Sequence, residues 1–163
     1  MQSCNDAPNL LNLDMEINVV EIQLKITHTI HLPGDDNSLY VYGVEDAGNV
    51  FCQTIGASNV ERAAMLCLDN TNKIINYSVI SIGSIDSVKV SVSQIFRTAL
   101  LSNAVKIIIA HNHPSGHLEV TNEDIDMTRK IGFFARSFGI ELIDSIVVTE
   151  NNAISIREHC KEF

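Results

Sequence analysis

Basic residues are scarce in this chain of 163: Lys and Arg total 11 against 20 Asp and Glu, a formal net charge of −9. Gripping a phosphate backbone draws on clustered Lys and Arg, so nucleic acid is not expected as a partner. A local basic patch is not excluded by the total. Any apolar run near the roughly 18–20 residues of a membrane-spanning helix is also lacking, so no membrane partner is expected. The start of the chain carries Asp6, Asp14 and Glu16 and has no Lys or Arg before Lys25. It lacks both the charged start and the apolar stretch of a secretory signal. The four cysteines, Cys4, Cys52, Cys67 and Cys160, form no C-x-x-C pair. Cys52 and Cys67 have apolar neighbours, where a reduced, buried thiol is the expectation. These absences point to a cytoplasmic, reducing compartment. No internal repeat or low-complexity tract is present.

What is there is an ordinary globular balance, 45% hydrophobic and 19% charged, which argues against global disorder. The length bounds the chain to one domain, or one domain plus an extension. At this size about 70% of the unfolded surface can be buried without staples. Glu16 to His31 alternates apolar and polar residues, with Val20, Ile22, Leu24 and Ile26 on one face. That is a strand pattern, closed by Pro33, Gly34, Asp35 and Asp36. Such a strand could add to the domain's own sheet or pair with another chain. Val44 to Ile55 suits a short helix with Glu45 and Asp46 in its first turn and Gly56 as its stop. Ala63–Leu68 and Lys73–Gly83 read as a strand hairpin about the turn Asp69 to Asn72. Ser91 and Gln94 form a capping box ahead of a helix with Val92, Ile95, Phe96, Ala99 and Leu100 on its apolar face. Val105–Ala110 is a short buried strand running into His111. Thr121 caps a second helix with a stripe of Met127, Ile131, Phe134, Ala135 and Phe138, stopped by Gly139. Two further strands, Ile140–Thr149 and Ala153–Ile156, close the chain. The order β-α-β-β-α-β-α-β-β is that of a layered α/β or α+β domain.

The chemistry concentrates in His111-Asn-His113-Pro114-Ser115-Gly116, followed by Thr121-Asn-Glu-Asp124. Residues i and i+2 of a strand share a face, so His111 and His113 can converge on one ion. Pro114 and Gly116 turn the chain out of the sheet, and the ten residues between His113 and Asp124 let the next helix return its first turn to that point. Two histidines and one carboxylate, with a fourth position open to water, make the ligand set of a catalytic zinc site. Asp124 has a second reading as the third-position acid of a capped helix. The tripeptide His-Asn-His does not indicate an HNH nuclease, whose residues are spread over a long ββα motif. A hydrolytic site of this kind needs a further carboxylate as base, for which Glu61, Asp69 and Asp86 are candidates on chemistry alone.

His-x-His-Pro, six residues, Ser or Thr, two residues, then Asp resembles the JAMM metal signature of the JAB/MPN+ metalloprotease superfamily. His-Asn-His-Pro-Ser-Gly is similar to its RadC-like branch. Glu61-Arg-Ala-Ala-Met-Leu-Cys-Leu-Asp69 resembles that branch's E-x-F-x-V-L-x-L-D segment. Ile82-Gly83-Ser84, Ser93–Asn103 and Leu142–Val148 resemble further segments of it. The departures are Thr121 for the superfamily's Ser, Val120 for the branch's Pro, and Asp144-Ser145 for its Asp-His pair. The likeness implies an α/β (α+β layered) domain over 44–163, JAB/MPN-like and cytidine-deaminase-like, with a central mixed sheet flanked by helices. Residues 1–43 would be an N-terminal extension with one strand. Longer RadC proteins carry a helix-hairpin-helix region, and no such pattern precedes residue 44.

The resemblance also implies a Zn2+ cofactor held by His111, His113 and Asp124, a peptide or protein substrate, and a peptidase or isopeptidase-like reaction. Within it, Glu61 matches the family's general base. Thr121 matches the hydroxyl that would stabilise an oxyanion, with Ser115 as a second candidate. A reading of another class is a non-catalytic DNA-repair or mobile-element accessory whose metal is structural. A fourth protein ligand, His117 or a cysteine, would mark that alternative.

Overall fold

The computed structural model describes residues 17–34, 39–83 and 91–160. Five strands form one mixed sheet in the order β2-β1-β3-β4-β5. They are β1 (Arg62–Leu68), β2 (Ile74–Ile82), β3 (Lys106–Asn112), β4 (Glu141–Val148) and β5 (Ala153–Ser155). Three helices, α1 (Val44–Phe51), α2 (Val92–Leu101) and α3 (Asn122–Ser137), cover it. β1 runs antiparallel to both β2 and β3, whereas β3 and β4 are parallel and joined by α3. This is the layered α/β architecture that the order of elements predicts.

Helices on both faces explain why β1 and β3 read as continuous apolar runs rather than alternating ones. Met65 and Cys67 of β1 pack with Ile107 and Ile109 of β3 against Ile95, Phe96 and Ala99 of α2 and Ile131 and Ala135 of α3. The intervening residues, Ala64, Leu66, Leu68, Ile108 and Ala110, pack on the opposite face against Ala47 and Phe51 of α1 and Ile55. Parity along β3 therefore assigns sides. Odd positions face α2 and α3, and even positions face α1 and the turn that follows it.

That turn departs from the expected helix end. Residues Cys52–Gly56 widen into a π turn rather than continuing α1. Its last residue must be small, because a Cβ on Gly56 would collide with the Thr149 carbonyl. The turn is thereby seated on the loop between β4 and β5. Cys67 is fully buried and Cys52 half-buried, both as free thiols, with burial pushing each thiol up.

Residues 17–31 correct an expectation. They form no strand, and Val20, Ile22, Leu24 and Ile26 all face solvent. Alternation creates a face to bury but no neighbour to bond with, and among the described residues none lies alongside. The ordered domain also begins before residue 44. Tyr40 bridges Lys73 at the start of β2, and Val41 is buried in the core beside α1. Thus Tyr40 and Val41, assigned to the extension, belong with the sheet.

Candidate metal centre

His111 stands near the end of β3 at an odd position, on the side of α3, and opposite Ala63 of β1. His113 lies just past the strand, and its amide still bonds the Val148 carbonyl of β4. The chain then reverses through Pro114 and Ser115, with the Gly116 amide donating to the His113 carbonyl at 3.0 Å. Gly116 takes a φ of +76°, a left-handed conformation that glycine adopts without steric cost. The loop delivers Thr121 and the first turn of α3 back to the histidines.

There three donor atoms converge. His111 Nε2 lies 3.2 Å from His113 Nε2 and 3.0 Å from Asp124 Oδ1. All three side chains are half-buried, with their ligand atoms within 4.8 Å of one another. Atoms bonded at about 2.0–2.1 Å to one tetrahedral ion stand about 3.3 Å apart, so this spacing fits a zinc-sized cation. The tautomer agrees. His113 Nδ1 lies 3.0 Å from the His117 carbonyl, which can only accept, so the ring hydrogen sits there. In the neutral ring Nε2 is then left as a lone-pair donor aimed at His111 and Asp124.

Asp124 is held by its own helix. Thr121 Oγ1 donates to Asp124 Oδ2 at 2.7 Å, the Thr121 amide donates to the same oxygen at 2.9 Å, and the Asp124 amide returns a bond to Thr121 Oγ1. This capping box occupies Oδ2 and leaves Oδ1 to face His111. Burial by itself would raise the Asp124 carboxyl. The hydrogen bond and charge of His111, with the Thr121 hydroxyl and amide, outweigh it and hold the group well below the usual carboxylate range. Asp124 is therefore an anion at neutral pH, as a metal ligand must be.

The Thr121 hydroxyl, expected to face an oxyanion, here directs its proton at Asp124 Oδ2. Ser115 is exposed, and its Oγ accepts the His117 amide at 3.3 Å. It stabilises the loop and makes no contact with the three donors. His117 offers only its backbone carbonyl to the cluster, and no cysteine joins it among the described residues.

Glu61 immediately precedes β1. The β1–β3 ladder ends at the pair Ala63–His111, two residues after Glu61. Glu61 is half-buried, and its carboxylate makes no ion pair or hydrogen bond among the described residues. Asp69 is excluded by position. It sits at the far end of β1, where its Oδ1 organises the hairpin turn by accepting the Thr71 amide and hydroxyl and the Lys73 amide. Asp86 and Ser84 lie outside the described residues.

One residue of the site escapes sequence reasoning. Asn112, between the two histidines, is completely buried and points to the other side of the strand. Its Oδ1 accepts the Arg62 amide at 2.7 Å, and its Nδ2 donates to the carbonyls of Ser58 at 3.1 Å and Val60 at 3.2 Å. Nothing in the string His-Asn-His marks the middle residue, because its partners lie some fifty positions upstream.

A layered sheet with two histidines and an aspartate gathered where β3 meets the start of α3 is a JAB-type arrangement. Residues 41–161 match the model of the RadC-like JAB domain, and the chain belongs to that family. A UPF0758 protein of Finegoldia magna is 36% identical over 114 residues, which cover 70% of this chain and 51% of that protein. One from Carboxydothermus hydrogenoformans is 34% identical over 122 residues, 75% of this chain and 54% of its own length. Another, from Trichormus variabilis, is 40% identical over 100 residues. The chain spans about half the length of these curated relatives, whose shared name states no activity.

Proposed function

We propose that this chain is a zinc-dependent hydrolase of amide bonds, acting on a peptide or isopeptide. The reading is carried by the convergence of His111 Nε2, His113 Nε2 and Asp124 Oδ1, three donors rather than four among the described residues. A site with three protein ligands keeps a position for water or substrate, whereas structural zinc sites are closed by four. Zinc bound there supplies Lewis acidity toward a water and a carbonyl oxygen. Glu61, a carboxylate without another partner among the described residues, accepts the proton released as water attacks the carbonyl carbon. It returns that proton to the leaving nitrogen as the C–N bond breaks. Thr121 keeps Asp124 oriented throughout, and the His117 carbonyl keeps the His113 tautomer.

The test joins metal content with cleavage. Elemental analysis is expected to give about one zinc per chain, lost in His113→Ala, because two remaining protein ligands hold the ion too weakly against water. The zinc-bound protein is then incubated with a mixed peptide library containing isopeptide-linked members, and new termini are identified by mass spectrometry. Full zinc occupancy in His113→Ala overturns the ligand assignment. Zinc retention together with no cleavage of any library member overturns the hydrolase reading in favour of a metal-stabilised accessory.

A further inference from the structure

The bonds of Asn112 run away from the histidines and toward the backbone on either side of Glu61. We infer that Asn112 is a positioning residue for Glu61, fixing where that carboxylate stands relative to His111, His113 and Asp124. The inference rests on the proposed role of Glu61 and names what holds that residue in place.

Parity along β3 sets up the arrangement. His111 and His113 project toward α3, so Asn112 between them projects to the opposite side, where the segment after the π turn passes. Its backbone is fixed by pairing with Val148 of β4. The side chain then replaces the β1–β3 ladder just where it ends. It accepts from the amide of Arg62, one residue after Glu61, and donates to the carbonyl of Val60, one residue before. The third bond, to the Ser58 carbonyl, ties down the approach to that segment. From the other flank, the Gly83 amide donates to the Glu61 carbonyl itself at 2.9 Å. Glu61 is thus gripped before, at and after its own position, while its carboxylate is left unengaged among the described residues.

The chemistry demands a carboxamide. Two donors and one acceptor are used at once, which fixes the orientation of the amide group. Aspartate would offer no donor and would bury a charge at a site with no exposure. Alanine would leave two carbonyls and one amide without partners. Serine is too short to reach three groups spread over residues 58–62. One side chain therefore ties the end of β3, between the two histidines, to the backbone on either side of Glu61.

The experiment uses Asn112→Ala in the chain of 163 residues, with Asn112→Ser as the milder variant should the first not fold, and cobalt(II) alone as the probe. Pseudocontact shifts of backbone amides report position relative to the bound cobalt. The expected result is that the amides of Val60, Glu61 and Arg62 move while those flanking His111 and Asp124 keep their shifts. Hydrogen exchange at the Arg62 amide is expected to quicken roughly tenfold, with the β1 amides further along unchanged. Zinc affinity, read by competition with a chromophoric chelator, is expected to stay within a few-fold of wild type. Unmoved shifts at residues 60–62 overturn the inference. So does an affinity loss of about 10–100-fold, the range that marks a side chain supporting the ligands themselves. None of these readouts uses a substrate, so their failure is separate from a failure of Glu61 as base, which cleavage by Glu61→Gln measures.

Discussion

At the scale of single residues, the roles proposed for Glu61 and Thr121 can be separated by experiment. Glu61→Gln preserves shape and all three metal donors, so zinc content is expected to match wild type. The cleavage rate is expected to fall by about 10²–10⁴, the usual loss for a general base. An unchanged rate with zinc retained would remove Glu61 from the mechanism. For Thr121 the expectation is positional. Thr121→Val abolishes both hydroxyl bonds with Asp124, costing about 1 kcal/mol of stability as a lost cap and about 10–100-fold in zinc affinity. Thr121→Ser keeps the capping box and should keep both properties. Denaturant melts and chelator competition measure the two effects independently. The histidines and Asp124 are legible in the sequence because their spacing follows from strand and helix geometry. Asn112 is not, because its partners are backbone groups some fifty residues away and any neighbour of a histidine looks alike in the string.

At the scale of elements, the core strands and the two capped helices are readable because each signal is local. β1 and β3 are apolar runs bounded by turns, and Ser91 and Thr121 mark where α2 and α3 begin. Residues 17–31 show where this fails. Their alternation specifies what a strand would bury, while the neighbour that would make it a strand is a property of the whole sheet. Asp144 on β4 has a testable consequence of a similar kind. It is buried, and burial raises its carboxyl from the ordinary aspartate value despite bonds from Ser155, Ser145 and Arg157. The folded chain therefore holds that proton more tightly than the unfolded chain. Its stabilising contribution is complete below about pH 4 and is lost as pH rises through the folded value. Asp144→Asn keeps the acceptor for the Ser145 amide and carries no charge. Its unfolding midpoint in denaturant is expected to exceed wild type at neutral pH, with the gap closing toward pH 4. A gap that stays constant with pH would show that Asp144 is not the titrating group.

At the scale of the whole molecule, the excess of 20 acidic over 11 basic residues sets the long-range field. Little affinity for duplex DNA is expected at about 0.15 M salt, because few cations are available to displace condensed counterions. Submicromolar binding with a steep salt slope in a fluorescence titration would show a concentrated basic face that the totals hide. A cationic segment in a protein substrate would be drawn to such a molecule more readily than an acidic one.

The loop from Pro114 to Val120 has no regular structure and is largely exposed, yet its two ends carry His113 and the cap of α3. An ion gripping both ends would turn this stretch into a closed ring, fastening the helix to the sheet much as a clasp closes a strap. Folding and metal supply then become one equilibrium, with about 2.7 kcal/mol of extra stability when free metal stands at a hundred times its dissociation constant. Stripping the metal should lower the melting temperature and open a protease-sensitive stretch between His113 and Thr121, while cuts elsewhere keep their rate. In a cell short of zinc, such a chain would be marked for turnover at the very loop that builds its site.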